Sequence, residues 1–280
     1  MSTRRSGKIS HLLWNVKQYK KNYGNLKAIR VFFHYAYVAT KKIKLQNSND
    51  HIVSVNGYKL NVIPGDLGIS SELLMFKTHE PLTTNLLSKE LKKDMVCLDV
   101  GGNIGYYTLL ESNIIGDNGK VIAIEPSPPN FQHLMKNLEI QDTKNVEAYN
   151  FAAGDVDGTV NFLVYQESNG SFTIPDGETT NLPGELIKVE AKRLDTFLDE
   201  LNIDHVDFVR MDVEGYEYHI LKGCVKTIEK FRPFFHIEVH LFLLGSEKTL
   251  ELFTLFREIN YEVRYFIPRE MDVSFIGNDN

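Results

Sequence analysis

The chain has 280 residues, 42% of them hydrophobic and 24% charged, and it carries a formal net charge of −6. This composition is typical of a soluble globular protein with one large domain and an extension. We expect no secretory signal, because the N-terminus lacks an uninterrupted apolar core, and no membrane-spanning helix, which needs ~18 apolar residues. Two distant cysteines, Cys97 and Cys224, suit neither metal binding nor redox chemistry, so we expect reduced thiols and a cytoplasmic protein.

The charge is divided unevenly along the chain. Residues 1–49 hold eleven Lys or Arg and no Asp or Glu, so this part carries +11 and the rest carries −17. Apolar residues between Leu12 and Tyr37 recur every three or four positions, which predicts a basic, amphipathic helical extension over residues 1–48. Three roles are open for it: packing on the domain that follows, peripheral contact with an anionic membrane surface, and nucleic-acid binding.

The polar run 46–50 marks the predicted boundary of a domain that spans residues 49–280. Two apolar runs around Asn56-Gly57 then predict a β-hairpin. Helical spacing follows from Ser70 to Leu91, and Pro81 fits the first position of a second helix within this stretch.

A strand predicted from Met95 to Val100 leads through a glycine turn into a helix that begins near Ile104. At such a corner a ligand meets backbone N–H groups and a helix N-terminus, which predicts a site for a nucleotide-type cofactor. The candidate binding residues in this stretch are Asp99, Gly101, Gly102, Asn103, Gly105 and Tyr106.

The spacing of the turn discriminates between cofactors. A dinucleotide site requires G-x-G-x-x-G, but counted from Gly101 the later glycines would fall on Asn103 and Tyr106. The stretch is D-x-G-x-x-x-G instead, which suits S-adenosylmethionine because that cofactor carries no phosphate. We expect Asp99 to meet its ammonium group, directly or through water, and the backbone donors of the open turn to meet its carboxylate.

A second acidic residue follows the next predicted strand, Lys120–Ile124. Glu125 stands 26 residues after Asp99, where an acid that accepts hydrogen bonds from both ribose hydroxyls is expected. Its neighbours Pro126 and Ser127 are included in the predicted site.

The third strand is predicted at Val146–Phe151, after a helix at Pro129–Ile140. The small residues Ala152 and Ala153 that follow it would leave room for an adenine ring. A β insertion then interrupts the alternation of strands and helices. It consists of strands at Thr159–Tyr165 and Leu186–Ala191 and a flexible loop at Gln166–Gly184.

Strands and helices alternate again beyond the insertion, which predicts further βαβ units and a parallel sheet. The predicted elements are Asp207–Met211, Tyr216–Phe231, Phe234–Val239, Glu247–Ile259, Tyr261–Phe266 and Val273–Ile276.

Four segments resemble successive blocks of the FkbM family of S-adenosylmethionine-dependent methyltransferases: LDVGGNIGYYT, IAIEPSPPNFQHLMKNL, VDFVRMDVEGYEYHILKG and RPFFHIEVH. The resemblance covers roughly residues 70–240, and residues 212–215 are its most specific block. It implies a class I methyltransferase fold, which is Rossmann-like α/β with a mostly parallel seven-stranded sheet and helices on both faces. His79-Glu80-Pro81-Leu82-Thr83 resembles an upstream block, which makes Glu80 and Thr83 candidate cofactor or lid contacts.

The resemblance further implies O-methylation of a hydroxyl, with S-adenosylmethionine as cofactor. A hydroxyl of high pKa needs a base as the new bond forms. His236, Glu238 and His240 alternate onto one face of the fifth strand, and Asp212 and Glu214 follow the fourth. We expect Glu238 and His240 to surround the acceptor and Asp212 to orient cofactor or acceptor.

No metal site is expected, because His236-x-Glu238-x-His240 is a triplet on one strand without a distant partner. The resemblance implies a saccharide or glycolipid-type acceptor, and contact of residues 1–48 with a membrane surface would then be explained. The alternatives are a soluble natural product, an RNA ribose, or cofactor binding without catalysis. Methylation of nucleic-acid bases is disfavoured, because Met-Asp-Val-Glu-Gly lacks the proline-aromatic motif of that class.

Overall fold

The computed structural model describes residues 51–66, 68–165, 168–268 and 273–278, together with Ile29. The predicted helical extension over residues 1–48 therefore lies outside the described residues, apart from Ile29. Within the described ranges, no helix is both long enough and apolar enough to cross a bilayer.

The first elements of the chain begin within two residues of the positions expected from the sequence. Pro81 occupies the first turn of its helix, as predicted, because its missing N–H has no partner to lose there. In chain order these elements are β1 (Ile52–Val55), β2 (Tyr58–Asn61), α1 (Ile69–Phe76), α2 (Pro81–Glu90), β3 (Val96–Val100), α3 (Tyr106–Ile115), β4 (Lys120–Ile124), α4 (Pro128–Ile140) and β5 (Val146–Tyr149).

The remaining elements include the insertion and the second half of the main sheet. They are β6 (Ala152–Gly154), β7 (Gly158–Val164), β8 (Phe172–Ile174), β9 (Glu185–Arg193), α5 (Leu194–Glu200), β10 (Phe208–Met211), α6 (Glu217–Lys222), α7 (Val225–Phe231), β11 (Phe234–Val239), α8 (Leu241–Leu244), α9 (Ser246–Glu258), β12 (Glu262–Pro268) and β13 (Val273–Asn278).

The main sheet of the described residues has the strand order β12-β13-β11-β10-β3-β4-β5. The five strands from β11 to β5 are parallel, whereas β13 pairs antiparallel with both β11 and β12. From β3 the chain first moves outward through β4 and β5 and later returns to the other side at β10. In open α/β sheets a ligand crevice forms at such a switch point, outside the carboxyl ends of the strands. The expected class I methyltransferase fold is confirmed.

The centre of the sheet is buried on both faces. Alternate residues of β3 point to opposite sides, so that Leu98 and Val100 pack in one hydrophobic cluster and Cys97 in the other. All five residues of β3 are buried, as expected for a parallel strand covered by helices on both faces.

The predicted third strand, Val146–Phe151, is shorter in the structure than expected, because β5 ends at Tyr149. The Asn150 amide donates to the carbonyl oxygens of Glu125 and Pro126, at 2.7 and 3.2 Å, which ties the chain to the end of β4. The following residues form β6, which belongs to a separate four-stranded sheet with the order β6-β9-β7-β8. The β insertion is thus present, but its predicted loop contains strand β8, which pairs with β7.

Other differences concern helices. The stretch predicted as one helix from Tyr216 to Phe231 is divided into α6 and α7 at Gly223, where a Cβ would lie 1.8 Å from the Gly154 carbonyl oxygen. The insertion sheet therefore approaches the chain so closely here that only glycine fits. Helices α5 and α8 were not predicted, because segments of seven and four residues are too short to show helical periodicity.

Candidate active site

A solvent-open cavity of about 590 Å³ lies outside the carboxyl ends of β3, β4 and β10. Its position is the crevice expected from the switch in strand order. Residues singled out from the sequence contribute much of its wall, and those that line it are Gly101, Asn103, Glu125, Pro126, Ala152, Ala153, Asp212 and Glu214.

Glu125 is the most distinctive polar group of this cavity. It is 5% exposed, and its two carboxylate oxygens accept from the backbone N–H groups of Asn103 and Ser127, each at 2.8 Å. Burial raises the pKa of the Glu125 carboxyl to about 7, even though both backbone bonds lower it. A desolvated carboxyl that keeps unused lone pairs at a cavity wall fits the recognition of ribose hydroxyls.

The cavity also has an apolar part beside Glu125. Ala152 and Ala153 are small and buried, and Ile124 and Phe162 line the same space. An adenine ring requires such a flat, apolar slot, so the residues present fit the nucleoside half of S-adenosylmethionine.

The glycine turn is closely packed against the neighbouring strand. Gly101 has φ 88°, and a Cβ at this position would lie 2.0 Å from the carbonyl oxygen of Asp212. Gly102 lies beside Thr108, and Gly105 packs on Leu134. Gly101 therefore brings the ends of β3 and β10 together, which no larger residue could do.

The backbone N–H groups of residues 101–105 all have acceptors within the protein, at 2.8–3.0 Å. These acceptors are the carbonyl oxygens of Ile124 and Gly102, the Glu125 carboxylate and the Asn103 side chain. These donors are thus engaged within the protein, and their contact with the cofactor's carboxylate stays a prediction. The turn positions Glu125 and Asn103 at the cavity.

Asp99 lies behind the cavity wall and is fully buried. One of its oxygens accepts from the Thr108 hydroxyl at 2.5 Å and the other from Arg210 Nη1 at 3.1 Å. Arg210 Nη2 in turn donates to Asp212 Oδ2 at 2.7 Å. Asp99 therefore binds Arg210. Of the three linked residues Asp99, Arg210 and Asp212, Asp212 is the one that lines the cavity.

Arg210 is a functional candidate that the sequence analysis missed. It is 2% exposed and lies within the apolar strand β10. Burial alone would lower the pKa of its guanidinium, but Asp212 and Asp99 together raise it. A charged residue inside an otherwise apolar strand was the signal available in the sequence.

The upstream residues lie on the far side of Arg210. The Tyr107 ring covers the guanidinium at 4.0 Å, and its hydroxyl donates to Glu80 Oε2 at 2.8 Å. Tyr106 and Thr83 are buried, and the Tyr106 hydroxyl lies 3.1 Å from the backbone N–H of residue 79. None of Glu80, Thr83 and Tyr106 lines the cavity, and Glu80 is linked to the site through Tyr107 and Arg210.

A second cluster of polar side chains lies at the carboxyl ends of β10 and β11, and we call it the His240 cluster. Four carboxylates, those of Asp212, Glu214, Glu217 and Glu238, surround the His240 ring. His240 Nδ1 lies 2.8 Å from Glu217 Oε1, and Nε2 lies 3.4 Å from Glu214, 3.7 Å from Asp212 and 3.9 Å from Glu238.

The electrostatics of the His240 cluster follow from this geometry. Burial by itself lowers the pKa of the imidazole, but the charges of Glu214, Glu217 and Asp212 outweigh it and hold that pKa well above its usual range. The cluster shares Asp212 and Glu214 with the wall of the cavity. The predicted catalytic residues Asp212, Glu238 and His240 are thus brought together beside the predicted cofactor site.

No metal site was expected, because the strand triplet lacked a partner from elsewhere in the sequence. The structure shows that such a partner is present. Asp212, which directly follows β10, joins Glu238 and His240, and one possible ligand atom from each lies within 4.8 Å of the others. The third member is therefore Asp212 and not His236, which is fully buried in the strand.

The insertion covers one side of the cavity. The Ser168 carbonyl oxygen accepts from the Asn103 and Asn130 amides, at 3.0 and 2.8 Å. The Ser168 backbone N–H and hydroxyl donate to the buried Asp66 carboxylate, at 3.0 and 2.7 Å. Asp66, Asn130 and Ser168 were not singled out from the sequence, and no local motif marks them.

Two family models match the chain. The model of the methyltransferase FkbM domain matches residues 99–263, and that of protein-L-isoaspartate(D-aspartate) O-methyltransferase matches residues 26–162.

Several curated proteins are similar to the chain. Methyltransferase 1 of Beauveria bassiana is 28% identical over 46% of this chain and 58% of its own length. Hexuronic acid methyltransferase AglP of Haloferax volcanii is 26% identical over 55% of this chain and 60% of its own. 2-O-methyltransferase NoeI of Sinorhizobium fredii is 25% identical over 59% of this chain and 70% of its own length. The chain spans about three fifths of the length of the first two.

Solved structures are also similar to the chain. Methyltransferase FkbM from Methylobacillus flagellatus has a TM-score of 0.47 and 21% identity, over 66% of this chain and 44% of that one. Aeropyrum pernix fibrillarin in complex with S-adenosyl-L-methionine has a TM-score of 0.46 and 14% identity, over 84% of this chain and 85% of that one.

Proposed function

Because the chain belongs to the FkbM family of S-adenosylmethionine-dependent methyltransferases, we propose that it transfers the methyl group of this cofactor to a hydroxyl of a saccharide-type acceptor. The observation that carries the proposal is the position of the His240 cluster beside the cavity that contains Glu125. A donor pocket and the carboxylates that surround His240 thus share one wall. The acceptor class is supported by the name of one relative, the hexuronic acid methyltransferase.

Three groups of the cavity would hold the cofactor. Glu125 accepts from the ribose hydroxyls, and Ala152 and Ala153 border the adenine ring. When bound, S-adenosylmethionine supplies an electrophilic methyl group on a sulfonium. Asp99 acts indirectly: through Arg210 it fixes the Asp212 carboxylate at the cavity wall. We therefore assign Asp99 and Arg210 as positioning residues.

The His240 cluster would receive the acceptor hydroxyl. As the oxygen bonds to the methyl carbon and the carbon–sulfur bond breaks, the hydroxyl proton must leave. A well-positioned group that takes this proton contributes ~10²–10⁴ in rate. Glu238 and His240 face this position from the end of β11, and Glu217 orients the His240 ring through Nδ1. The acceptor oxygen would lie between these groups and the donor cavity.

The basic extension over residues 1–48 would bring the enzyme to an anionic surface that carries its acceptor, because eleven positive side chains favour such lipids. Liposome flotation of the full chain tests this role. Co-flotation with anionic vesicles and not with neutral ones is expected, and protein that stays in the soluble fraction with both would reject it.

Calorimetric titration with S-adenosylmethionine tests the donor site. We expect one cofactor per chain and an affinity that Glu125→Ala lowers at least tenfold, because ribose recognition is lost. Glu147→Ala is a matched control, since this acid lies in the next strand, outside the cavity, where it pairs with Lys120. Equal affinity of Glu125→Ala and the wild type would reject the assignment.

A further inference from the structure

We propose that Asp212, Glu238 and His240 form a binding site for a divalent cation of the Mg²⁺ or Mn²⁺ type. The ligand atoms are Asp212 Oδ1, a carboxylate oxygen of Glu238 and His240 Nε2. The site rests on these side chains alone. Only the role of the cation toward an acceptor hydroxyl rests on the proposed function.

The spacing of the ligand atoms fits one shared ion. His240 Nε2 lies 3.7 Å from Asp212 Oδ1 and 3.9 Å from Glu238 Oε1, which is too long for hydrogen bonds. Two ligands of one ion, at the metal–oxygen distances of about 2.0–2.6 Å that Mg²⁺ and Ca²⁺ adopt, lie about 3–5 Å apart. All three atoms lie within 4.8 Å of one another, so a single cation can contact each of them.

Neighbouring groups hold two of the ligands in the required orientation. Arg210 Nη2 binds Asp212 Oδ2 at 2.7 Å, which leaves Oδ1 directed at His240. Glu217 Oε1 accepts from His240 Nδ1 at 2.8 Å, so the ligand atom is Nε2, which faces Asp212 and Glu238 and lies 3.4 Å from Glu214. A carboxylate on the second nitrogen of a metal-binding histidine is the usual outer partner, because it fixes the ring and its tautomer.

A separate observation concerns the buried Glu217 carboxylate. Glu217 is fully buried, its Oε1 atom accepts from His240 Nδ1 in the cluster, and its Oε2 atom has no hydrogen-bond partner among the described residues. The guanidinium of Arg210, which lies at the cluster, is shared between Asp212 and Asp99. A divalent cation bound by Asp212, Glu238 and His240 would add positive charge beside these buried carboxylates.

The ligand chemistry and position indicate what the cation does. Two carboxylates and one imidazole favour a hard or borderline ion such as Mg²⁺ or Mn²⁺ over soft metal ions, which prefer thiolate ligands. Because Asp212 also lines the donor cavity, the open coordination positions can take an acceptor oxygen beside the methyl donor. A bound cation lowers the pKa of such a hydroxyl, and two neighbouring hydroxyls of a sugar could bind it together.

Direct Mn²⁺ binding tests the site without any acceptor. The full chain is treated with EDTA, freed of chelator and titrated with Mn²⁺ while free Mn²⁺ is followed by electron paramagnetic resonance. We expect one ion per chain, and at least about tenfold weaker binding in Asp212→Asn and in Glu238→Gln. Asp155→Asn is the matched control, because Asp155 also pairs with a histidine, His219, but lies outside the cluster. It should bind Mn²⁺ like the wild type.

Thermal unfolding separates loss of the site from loss of the fold. In EDTA the Glu238→Gln variant should melt no lower than the wild type, because one of the clustered negative charges is gone. Added Mn²⁺ should raise the melting temperature of the wild type and of Asp155→Asn but not that of Glu238→Gln. Failure of the wild type to bind Mn²⁺, or equal binding by all variants, would overturn the site. A calorimetric titration with S-adenosylmethionine in EDTA then measures cofactor binding in the absence of metal, so that the donor site is tested independently of the cation site.

Discussion

Arg210 lies opposite Asp99 in the register of β10 and β3. Its guanidinium donates to Asp99 Oδ1 at 3.1 Å and to Asp212 Oδ2, just beyond the end of β10, at 2.7 Å. The ion pair lies at the switch point of the sheet, behind the wall of the donor cavity. It links a residue of the glycine-turn block to Asp212, which both sites share.

Removal of the guanidinium should destabilise the protein strongly. Arg210→Met leaves the fully buried Asp99 without its partner, and breaking a buried ion pair from one side costs about 3–5 kcal/mol. Urea unfolding followed by circular dichroism measures this change. Arg257→Gln, at an exposed position of α9, is the control and should stay within about 0.5 kcal/mol of the wild type. A similar small effect of Arg210→Met would show that the pair does not hold the two strand ends.

Cofactor affinity should depend on pH through Glu125. Its pKa of about 7 in the free protein means that half of the carboxyl groups are protonated at that pH. The ionised form accepts from ribose hydroxyls, so affinity should fall as the pH decreases from 8 to 6. Calorimetry over this range compares the wild type with Glu125→Gln, which should bind more weakly and show a flatter profile. Parallel profiles would contradict the assignment.

Stability of the free protein should change in the opposite direction with pH. The folded state raises the Glu125 pKa from 4.5 to about 7, so it holds this proton more tightly than the unfolded chain. The resulting stability is complete below pH 4.5 and is lost as the pH rises through 7, by about 3 kcal/mol at most. Glu125→Gln should lack this loss. Unfolding free energies at pH 5, 6, 7 and 8 measure the difference between the two proteins.

The contact between Asp66 and Ser168 should keep the insertion closed over the cavity. Ser168→Ala removes the hydroxyl bond to Asp66 and should cost about 1 kcal/mol, or roughly fivefold in cofactor affinity. Hydrogen exchange of residues 168–174 should become faster in the variant. Thr159→Ala, on an exposed part of β7, serves as control. Unchanged exchange in Ser168→Ala would show that other contacts hold this segment.

Much of the fold could be predicted from the sequence because its signals are local. The glycine turn, the hairpin at Asn56-Gly57 and the alternation of apolar runs each depend on residues a few positions apart. The end of β5 at Tyr149 could not be predicted in this way, since it depends on bonds from Asn150 to the loop after β4. The break between α6 and α7 lies at Gly223, where the insertion sheet approaches the chain, and this approach is also a tertiary effect.

The residues of the site likewise divide into those marked by a local sequence pattern and those brought together only by the fold. Glu125 was found because an acid after the second strand has a defined spacing from Asp99. The partner of Asp99 was missed, because Arg210 stands 111 residues away and meets it only through strand register. The His240 cluster likewise combines the ends of β10 and β11. The sequence grouped Asp212 with Glu238 and His240, but no local pattern indicated Glu217 as the partner of His240 Nδ1.

Methyl transfer to saccharides is the most direct test of the proposed function. The full chain is incubated with Mn²⁺, methyl-labelled S-adenosylmethionine and a panel of hexuronic acids, neutral sugars, small-molecule alcohols and RNA. We predict label on a saccharide hydroxyl, as an ether that survives mild base, and its loss in Glu125→Ala. Base-labile label, which indicates a carboxylate ester, or label confined to RNA or the small alcohols would contradict saccharide O-methylation.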